Sequence, residues 1–173
     1  MIRVLFVCAG NICRSPMADA VFQDHIRRAG LQDQISVDSA GVGAWHPGES
    51  AHPGTLAVLR EHDIAYDGRA RQIRYDDFNH FDYVLAMDRE NLAGILRLVN
   101  RGERSSQEKM DRLYNGAHRP EIGMFLSYAN RAGSVAEIEV PDPYYDGRYP
   151  LVYELVEEGC TALLAHIRQV HRL

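Results

Sequence analysis

The chemistry in this sequence is concentrated in a short loop near its start, where Cys8 and Arg14 are separated by five residues. A cysteine thiolate is a strong nucleophile, and a cysteine pKa of about 8.5 falls to roughly 3.5–7.5 beside a helix N-terminus and a fixed cation. Arg14 can supply that cation, and its planar guanidinium can hold two oxygens of a phosphoryl group. The hydroxyl of Ser15 can donate to the Cys8 sulfur and favour the thiolate. This pattern predicts nucleophilic chemistry on a phosphate.

Two residues, Gly10 and Asn11, give this loop the freedom to fold around an anion. Both tolerate positive φ angles, which turn successive backbone N–H groups toward the centre of a loop. Ser15 and Pro16 can open a helix with proline in its first turn, and a helix N-terminus attracts phosphate. We therefore predict a phosphate-binding segment made of Ala9, Gly10, Asn11, Ile12 and Cys13.

A carboxyl group far along the chain, that of Asp142, is the candidate acid for such a reaction. An aryl phosphate is cleaved faster when an acid protonates the leaving oxygen, and release of phosphate from sulfur needs a base that activates water. One carboxyl group can do both. Pro141 and Pro143 restrict the backbone around it, so a loop can present this side chain in a defined direction. Taken alone, Asp-Pro-Tyr is also typical of a simple turn.

The rest of the chain alternates between short apolar runs and helical periodicity. Strands separated by helices predict a parallel sheet covered on both faces, with ligands bound beyond the carboxyl ends of the strands. The Cys8 loop follows the first strand and would lie at that edge. The predicted strands are residues 2–7, 35–39, 81–87 and 110–114. The predicted helices run from the Cys8 loop to Gly30 and over residues 52–62, 88–99 and 151–170.

Composition limits the function classes that remain. The chain has 173 residues, of which 46% are hydrophobic and 25% charged, which is typical of one globular domain. A net charge of −5 argues against a nucleic-acid binder, which usually needs a basic face. The sequence contains no run of the roughly 20 apolar residues that a membrane span requires. Three cysteines and no leader-like start predict a cytoplasmic protein without a disulfide framework.

Three other interpretations of the loop compete with phosphate chemistry. Cys8 and Cys13 could be small buried residues, since free cysteine is among the most buried types. A zinc site is a poor fit, because the two cysteines lie five residues apart and no histidine pairs with them at ligand spacing. Nucleotide-binding patterns fail as well. No Gly-Lys-Ser/Thr follows a glycine loop, and residues 41–46 lack the third glycine of a dinucleotide fingerprint.

Two motifs together resemble the low molecular weight protein tyrosine phosphatases. They are Val-Cys-Ala-Gly-Asn-Ile-Cys-Arg-Ser-Pro at residues 7–16 and Asp-Pro-Tyr-Tyr at residues 142–145. The resemblance implies a single domain over residues 1–173, with a four-stranded parallel sheet, helices on both faces and the phosphate-binding loop after the first strand. It implies neither a cofactor nor a metal. The likeness extends through residues 38–41, 45–46, 69–72 and 81–88.

The resemblance also implies a role for each site residue. Cys8 would attack phosphorus and form a cysteinyl phosphate, Arg14 would clamp the transition state, and Asp142 would be general acid and base. Trp45 and Tyr144 would flank a cleft deep enough for phosphotyrosine and too deep for phosphoserine. In relatives that act on phosphoarginine the position of Ile12 resembles threonine, so isoleucine favours phosphotyrosine.

Regulation and partners follow from the same resemblance. Cys13 would form a reversible disulfide with Cys8 and protect it from irreversible oxidation. Tyr144 and Tyr145 would accept phosphate from a kinase. The implied partners are phosphotyrosine proteins and a cognate tyrosine kinase, and the implied state is a monomer or weak homodimer in the cytoplasm.

One position departs from the family pattern. Many relatives carry a histidine just before the Arg-Ala-Arg-Gln stretch, where it joins a hydrogen-bond network with the loop asparagine and serine, whereas Gly68 stands there in this chain. We expect Ser39 to contact Asn11 still, and His62 is a candidate replacement for the missing histidine. The loop would then have fewer supporting contacts behind it.

Two rival functions use the same loop. An arsenate reductase on this scaffold would keep the anion site, but the thioredoxin-linked type needs further cysteines, and none lies between Cys13 and Cys160. A phosphate-binding module without enzymatic activity would keep Arg14 but need neither Cys8 nor Asp142. Both of these residues are present.

Overall fold

The computed structural model describes residues 1–102 and 119–173, and the strand predicted at residues 110–114 lies outside them. The strands are β1 (Ile2–Cys8), β2 (Ile35–Gly41), β3 (Tyr83–Ala86) and β4 (Glu121–Met124). The described helices are α1 (Arg14–Arg28), α2 (Pro53–Glu61), α3 (Asp77–His80), α4 (Arg89–Gly102), α5 (Ser127–Ala132) and α6 (Tyr149–His171).

The four strands form one parallel sheet in the order β2-β1-β3-β4. In its register, Val4 of β1 pairs with Val37 on one side and Tyr83 on the other. Because all strands run the same way, their carboxyl ends meet at one edge of the sheet, where ligands of open α/β sheets bind. The predicted α/β fold class with its four-stranded parallel sheet is confirmed.

Strand β1 lies at the centre of the sheet and is buried on both faces. Val4 and Phe6 belong to the larger core cluster, which packs against α1, α2, α5 and α6. Leu5 and Val7 belong to the smaller cluster on the opposite face, with Phe78 of α3 and Ile95 of α4. Burying one such side chain stabilises the fold by about 1.5–3 kcal/mol, so the strand that carries the loop is firmly held.

The helices begin and end close to the predicted positions. Helix α1 has Pro16 in its first turn, and Gly30 follows its C-cap with φ of 69°. The short helices α3 and α5 were not predicted, because four and six residues are too few to show a helical repeat. Of the described helices, none combines the length and the apolar character that crossing a bilayer would require.

Candidate active site

The sheet brings three distant segments together at the carboxyl end of β1. Cys8 ends β1 and pairs with Gly41 at the end of β2. Beyond β3, the Met87 N–H donates to the Val7 carbonyl over 3.0 Å, and the Val140 N–H donates to the Met87 carbonyl over 2.8 Å. These contacts place the Cys8 loop beside the segments that contain Asp88 and Asp142.

Asn11 holds the loop in a tight conformation. Its φ of 58° lies in the left-handed region, which costs free energy for a residue other than glycine. Its side-chain amide donates to Ser15 Oγ and to Ser39 Oγ, each over 3.0 Å. Its side-chain oxygen accepts from the Arg71 N–H over 2.8 Å. The expected contact between Asn11 and Ser39 is therefore present.

Of the two loop residues that tolerate a positive φ, Asn11 takes one and Gly10 does not. Gly10 matters instead for the space that its missing side chain leaves. A Cβ built on Gly10 would lie 3.1 Å from His46 Cδ2 and 3.6 Å from Trp45 Cε3. The absence of a side chain lets the Trp45–His46 segment lie directly against the loop.

The Cys8 sulfur receives two hydrogen bonds. The Asn11 N–H donates to Sγ over 3.2 Å, and Ser15 Oγ donates over 3.1 Å. Ser15 Oγ also accepts from Asn11, and its single proton can go to the sulfur or to the Ala40 carbonyl, which lies 3.3 Å away. Donors aimed at a sulfur stabilise a thiolate relative to a thiol.

Arg14 is only 3% exposed and is surrounded by acceptors. One guanidinium nitrogen, Nη1, donates to the Val140 carbonyl over 3.1 Å and to an Asp88 carboxylate oxygen, and the other, Nη2, donates to Asp142 Oδ2 over 2.9 Å. Burial lowers the pKa of Arg14, but the opposing charges of Cys8, Asp88 and Asp142 outweigh burial and raise it overall. The guanidinium therefore stays charged and fixed in direction.

Asp88 begins the helix predicted over residues 88–99 and was not predicted as a site residue. It caps α4, since its Oδ1 accepts from the Asn91 N–H over 2.7 Å, while its other oxygen pairs with Arg14. The available signal was its place two residues beyond the end of β3, whose neighbour in the sheet is β1.

Asp142 sits on the rim of the site. Its side chain is 39% exposed, so it meets both solvent and Arg14. Its Oδ1 accepts from the Tyr144 N–H over 3.1 Å, which fixes the carboxyl group to the following turn. A substrate oxygen can reach this carboxyl from solvent.

Cys8, Arg14 and Asp142 line a pocket of about 270 Å³. Asn11 and Ser15 lie behind its wall, fully buried, at 2% and 0% exposure. Its rim carries exposed aromatic rings, since Trp45 is 67%, Tyr144 49% and Tyr145 90% exposed. His46 also lines the pocket and was not predicted as a site residue. The lining is Cys8, Ala9, Gly10, Ile12, Cys13, Arg14, Trp45, His46, Asp142, Tyr144 and Tyr145.

Cys13 differs from Cys8 in its electrostatic surroundings. Its Sγ lies 3.6 Å from the Tyr149 hydroxyl, which in turn is 2.7 Å from His52 Nδ1. Burial raises the pKa of Cys13 to about 11, although the contact with Tyr149 lowers it in part. Burial also raises the pKa of Cys160 well above its ordinary value. Both side chains are thiols at neutral pH.

His62, the candidate replacement for the missing histidine, packs elsewhere. The His62 ring stacks on Tyr153, with 3.8 Å between ring centroids. The side chain that approaches Ser39 is instead that of Tyr66, whose Oη lies 3.3 Å from Ser39 Oγ.

Comparisons with known proteins agree with this geometry. Residues 3–172 match the model of the low molecular weight phosphotyrosine protein phosphatase family. The low molecular weight protein-tyrosine-phosphatase YfkJ of Bacillus subtilis is 43% identical over 174 residues, which cover 100% of both chains. Its crystal structure superimposes with a TM-score of 0.82 at 41% identity, covering 98% of this chain and 96% of the other. The YwlE arginine phosphatase, crystallised as a mutant with a phosphorylated active-site serine, has a TM-score of 0.78 at 28% identity, covering 99% of each chain.

The match in sequence and the match in structure span the same nearly complete length of the chain. They confirm the resemblance carried by the motifs at residues 7–16 and 142–145. The relatives carry the names of phosphatases and their family is one of hydrolases, so this chain is a hydrolase. The chain belongs to the low molecular weight phosphotyrosine protein phosphatase family.

Proposed function

We propose that this protein hydrolyses phosphotyrosine in proteins through a cysteinyl-phosphate intermediate. The observation that carries the proposal is the joint position of Cys8, Arg14 and Asp142 on one pocket of about 270 Å³. A nucleophile, a fixed cation and a carboxyl group are the three components that aryl phosphate hydrolysis by this route needs.

In the first step, the Cys8 sulfur attacks phosphorus while Arg14 holds the equatorial oxygens. In the free protein Arg14 Nη2 donates to Asp142 over 2.9 Å, and an entering phosphoryl group can take over this donor. Asp142, released from Arg14, takes up a proton from solvent beside the bound phosphoryl group and gives it to the leaving phenolic oxygen. Asp88 and the Val140 carbonyl keep the guanidinium in place throughout, since both accept from Nη1.

In the second step, a water molecule attacks the cysteinyl phosphate and the thiolate leaves. Asp142, now a carboxylate, takes a proton from that water. Ser15 Oγ, 3.1 Å from the sulfur, stabilises the departing thiolate. The phosphorylated active-site serine in the YwlE mutant supports a covalent phosphoryl intermediate on this scaffold.

Substrate preference provides the test of the proposed function. Trp45 and Tyr144 provide exposed rings at the rim against which a phenyl ring can pack, and Ile12 presents an apolar wall. We expect kcat/KM for a phosphotyrosine peptide to exceed that for matched phosphoserine and phosphoarginine peptides by at least about 100-fold. The measurement is phosphate release from three peptides that differ only at the modified residue. Preference for phosphoarginine would contradict the proposal and assign the protein the activity named for YwlE.

Oxidation of Cys8 is the second property proposed for this pocket. A peroxide converts the Cys8 thiolate to a sulfenic acid, and the Cys13 thiolate then attacks that sulfur, forming the disulfide and displacing hydroxide, which takes up a proton from solvent to become water. Since the pKa of Cys13 is raised to about 11, only a small fraction of Cys13 is thiolate at pH 7. This fraction grows as pH rises toward that value.

We therefore expect disulfide formation in excess peroxide to accelerate about tenfold for each pH unit between pH 7 and 10. Quenched samples analysed by mass spectrometry give the rate. In the Cys13→Ser variant, activity lost to peroxide should not return on adding a thiol. A disulfide rate that is independent of pH would contradict Cys13 as the attacking group.

The proposed partners are phosphotyrosine proteins and a tyrosine kinase that opposes this enzyme. Tyr145 is 90% and Tyr144 49% exposed, so both can reach the active site of a kinase. The three free cysteines fit a reducing compartment, and we propose the cytoplasm. The proposed state is a monomer or weak homodimer.

A further inference from the structure

A buried carboxyl group behind the loop has no part in the mechanism above. Asp19 of α1 is 4% exposed. Its Oδ1 accepts from Gln23 Nε2 over 2.8 Å. Its Oδ2 accepts from Ser39 Oγ over 3.2 Å and from Tyr66 Oη over 2.9 Å. A buried carboxylate that accepts three hydrogen bonds is held in place, and neighbouring hydroxyl groups direct their protons toward it.

The chain makes room for the Tyr66 ring at this place. A Cβ built on Gly68 would lie 2.3 Å from Tyr66 Oη and 2.4 Å from Cζ, far inside van der Waals contact. Any other residue at position 68 would push the ring away from Asp19. The glycine that departs from the family pattern is therefore the residue that admits Tyr66.

Each hydroxyl group behind the loop has one proton, which limits which of its neighbours it can donate to. Ser39 has one hydroxyl proton, and donating it to Asp19 leaves the Ser39 oxygen to accept from Asn11. Asn11 donates its second amide proton to Ser15, whose one proton has two acceptors in reach, Cys8 Sγ at 3.1 Å and the Ala40 carbonyl at 3.3 Å. The hydrogen bonds from Asn11 thus connect the Asp19 carboxylate on one side with the Cys8 sulfur on the other.

We propose that Tyr66 is a positioning residue for Cys8, acting through Asp19, Ser39, Asn11 and Ser15. The Tyr66 proton keeps Asp19 an acceptor, Asp19 orients Ser39, and Ser39 with Ser15 holds Asn11 in its left-handed conformation. This role rests on the proposed function of Cys8 as nucleophile. Tyr66 itself touches neither the substrate pocket nor the sulfur.

The groups around Asp19 determine what loss of the tyrosine hydroxyl does. The pKa of Asp19 is raised overall, because burial and the nearby charge of Asp38 outweigh the donors Gln23, Tyr66 and Ser39, which lower it. Without the Tyr66 proton, Asp19 takes up a proton more readily. A protonated Asp19 donates to Ser39 instead of accepting from it, and the direction of the chain is lost.

The test is Tyr66→Phe, with Tyr128→Phe as its matched control. Tyr128 also donates to a carboxylate, Glu121 Oε1, over 2.7 Å, but outside the active-site pocket. Iodoacetate alkylation of Cys8, followed by mass spectrometry across pH 4–9, gives a midpoint for its reactivity. We expect Tyr66→Phe to raise this midpoint by about 0.4 to 1 pH unit, the equivalent of one lost hydrogen bond. The control should leave it unchanged.

A pH profile of kcat/KM on an aryl phosphate separates positioning from damage to the fold. Tyr66→Phe should lower kcat/KM about three- to tenfold below the parent's midpoint and approach the parent value above it. Gly68→Ala alone should give the same pH profile as Tyr66→Phe, because its Cβ displaces the Tyr66 ring. Adding Gly68→Ala to Tyr66→Phe should change kcat/KM less than twofold, since the hydrogen bond from Tyr66 to Asp19 is already lost. An unchanged alkylation midpoint, or a loss that is equal at every pH, would overturn the proposal. Because alkylation needs no phosphate hydrolysis, its result stands even if the proposed function fails.

Discussion

Replacing Cys8 with serine is expected to lower kcat for an aryl phosphate by roughly 10⁴- to 10⁶-fold, the scale of loss when a covalent catalyst loses its nucleophile. A serine hydroxyl is a weak nucleophile at neutral pH, while a thiolate reacts readily. The two hydrogen bonds that reach Cys8 Sγ from Asn11 and Ser15 stabilise a sulfur anion and do not remove a proton from an alcohol. Steady-state phosphate release and the burst of phenol in the first turnover measure the change.

Cys160→Ser is the matched control for this substitution. Cys160 is equally a buried cysteine, but it lies on α6, where its thiol donates to the Ala18 carbonyl over 3.7 Å. The control should retain the parent's turnover. Phosphate binding by Cys8→Ser should survive, because Arg14 and the loop backbone remain. Unchanged turnover in Cys8→Ser would exclude the covalent mechanism, and a parent that binds phosphate without turning over any aryl phosphate would favour a binding module.

The parts of the site that the sequence predicts are those set by neighbouring residues. A strand, a loop turned by Asn11 at positive φ, and a helix with Pro16 in its first turn all follow from local backbone preferences, and they bring Cys8 and Arg14 to the same loop. The alternation of short strands and helices likewise predicts the parallel sheet, because helices packed on both faces of such a sheet bury the apolar surfaces of both kinds of element.

The parts that were missed depend on which segments meet in space. Asp88 pairs with Arg14 only because β3 lies next to β1 in the sheet, an order that strand patterns alone do not contain. Strand β4 has four residues with little burial, including Gly123, so its apolar signal is weak. The position of Tyr66 depends on open space over Gly68, which no local preference reveals.

Replacing Asp142 with asparagine is expected to slow the reaction by about 10²- to 10⁴-fold when the leaving group is as basic as tyrosine, the usual contribution of a general acid. Asparagine keeps the shape, and its single amide oxygen can still accept either from Arg14 or from the Tyr144 N–H, which bond different oxygens of Asp142. It has no acidic proton to give. A phenol of pKa near 10 leaves poorly as an anion, whereas a more acidic phenol needs less help. A series of aryl phosphates with increasingly acidic phenols should therefore show a steadily smaller loss.

Asp88→Asn distinguishes proton transfer from the alignment of Arg14. Both carboxylates pair with Arg14, but Asp88 has an exposed fraction of 22% against 39% for Asp142, and only Asp142 lines the pocket. Loosening the guanidinium weakens transition-state binding for every substrate alike, so Asp88→Asn should lower kcat/KM by a similar factor across the series. If Asp142→Asn also gave a loss that did not depend on the phenol, its carboxyl group would serve only to hold Arg14. A dependence confined to Asp142→Asn assigns the proton to that carboxyl, because the two variants share every effect that passes through Arg14.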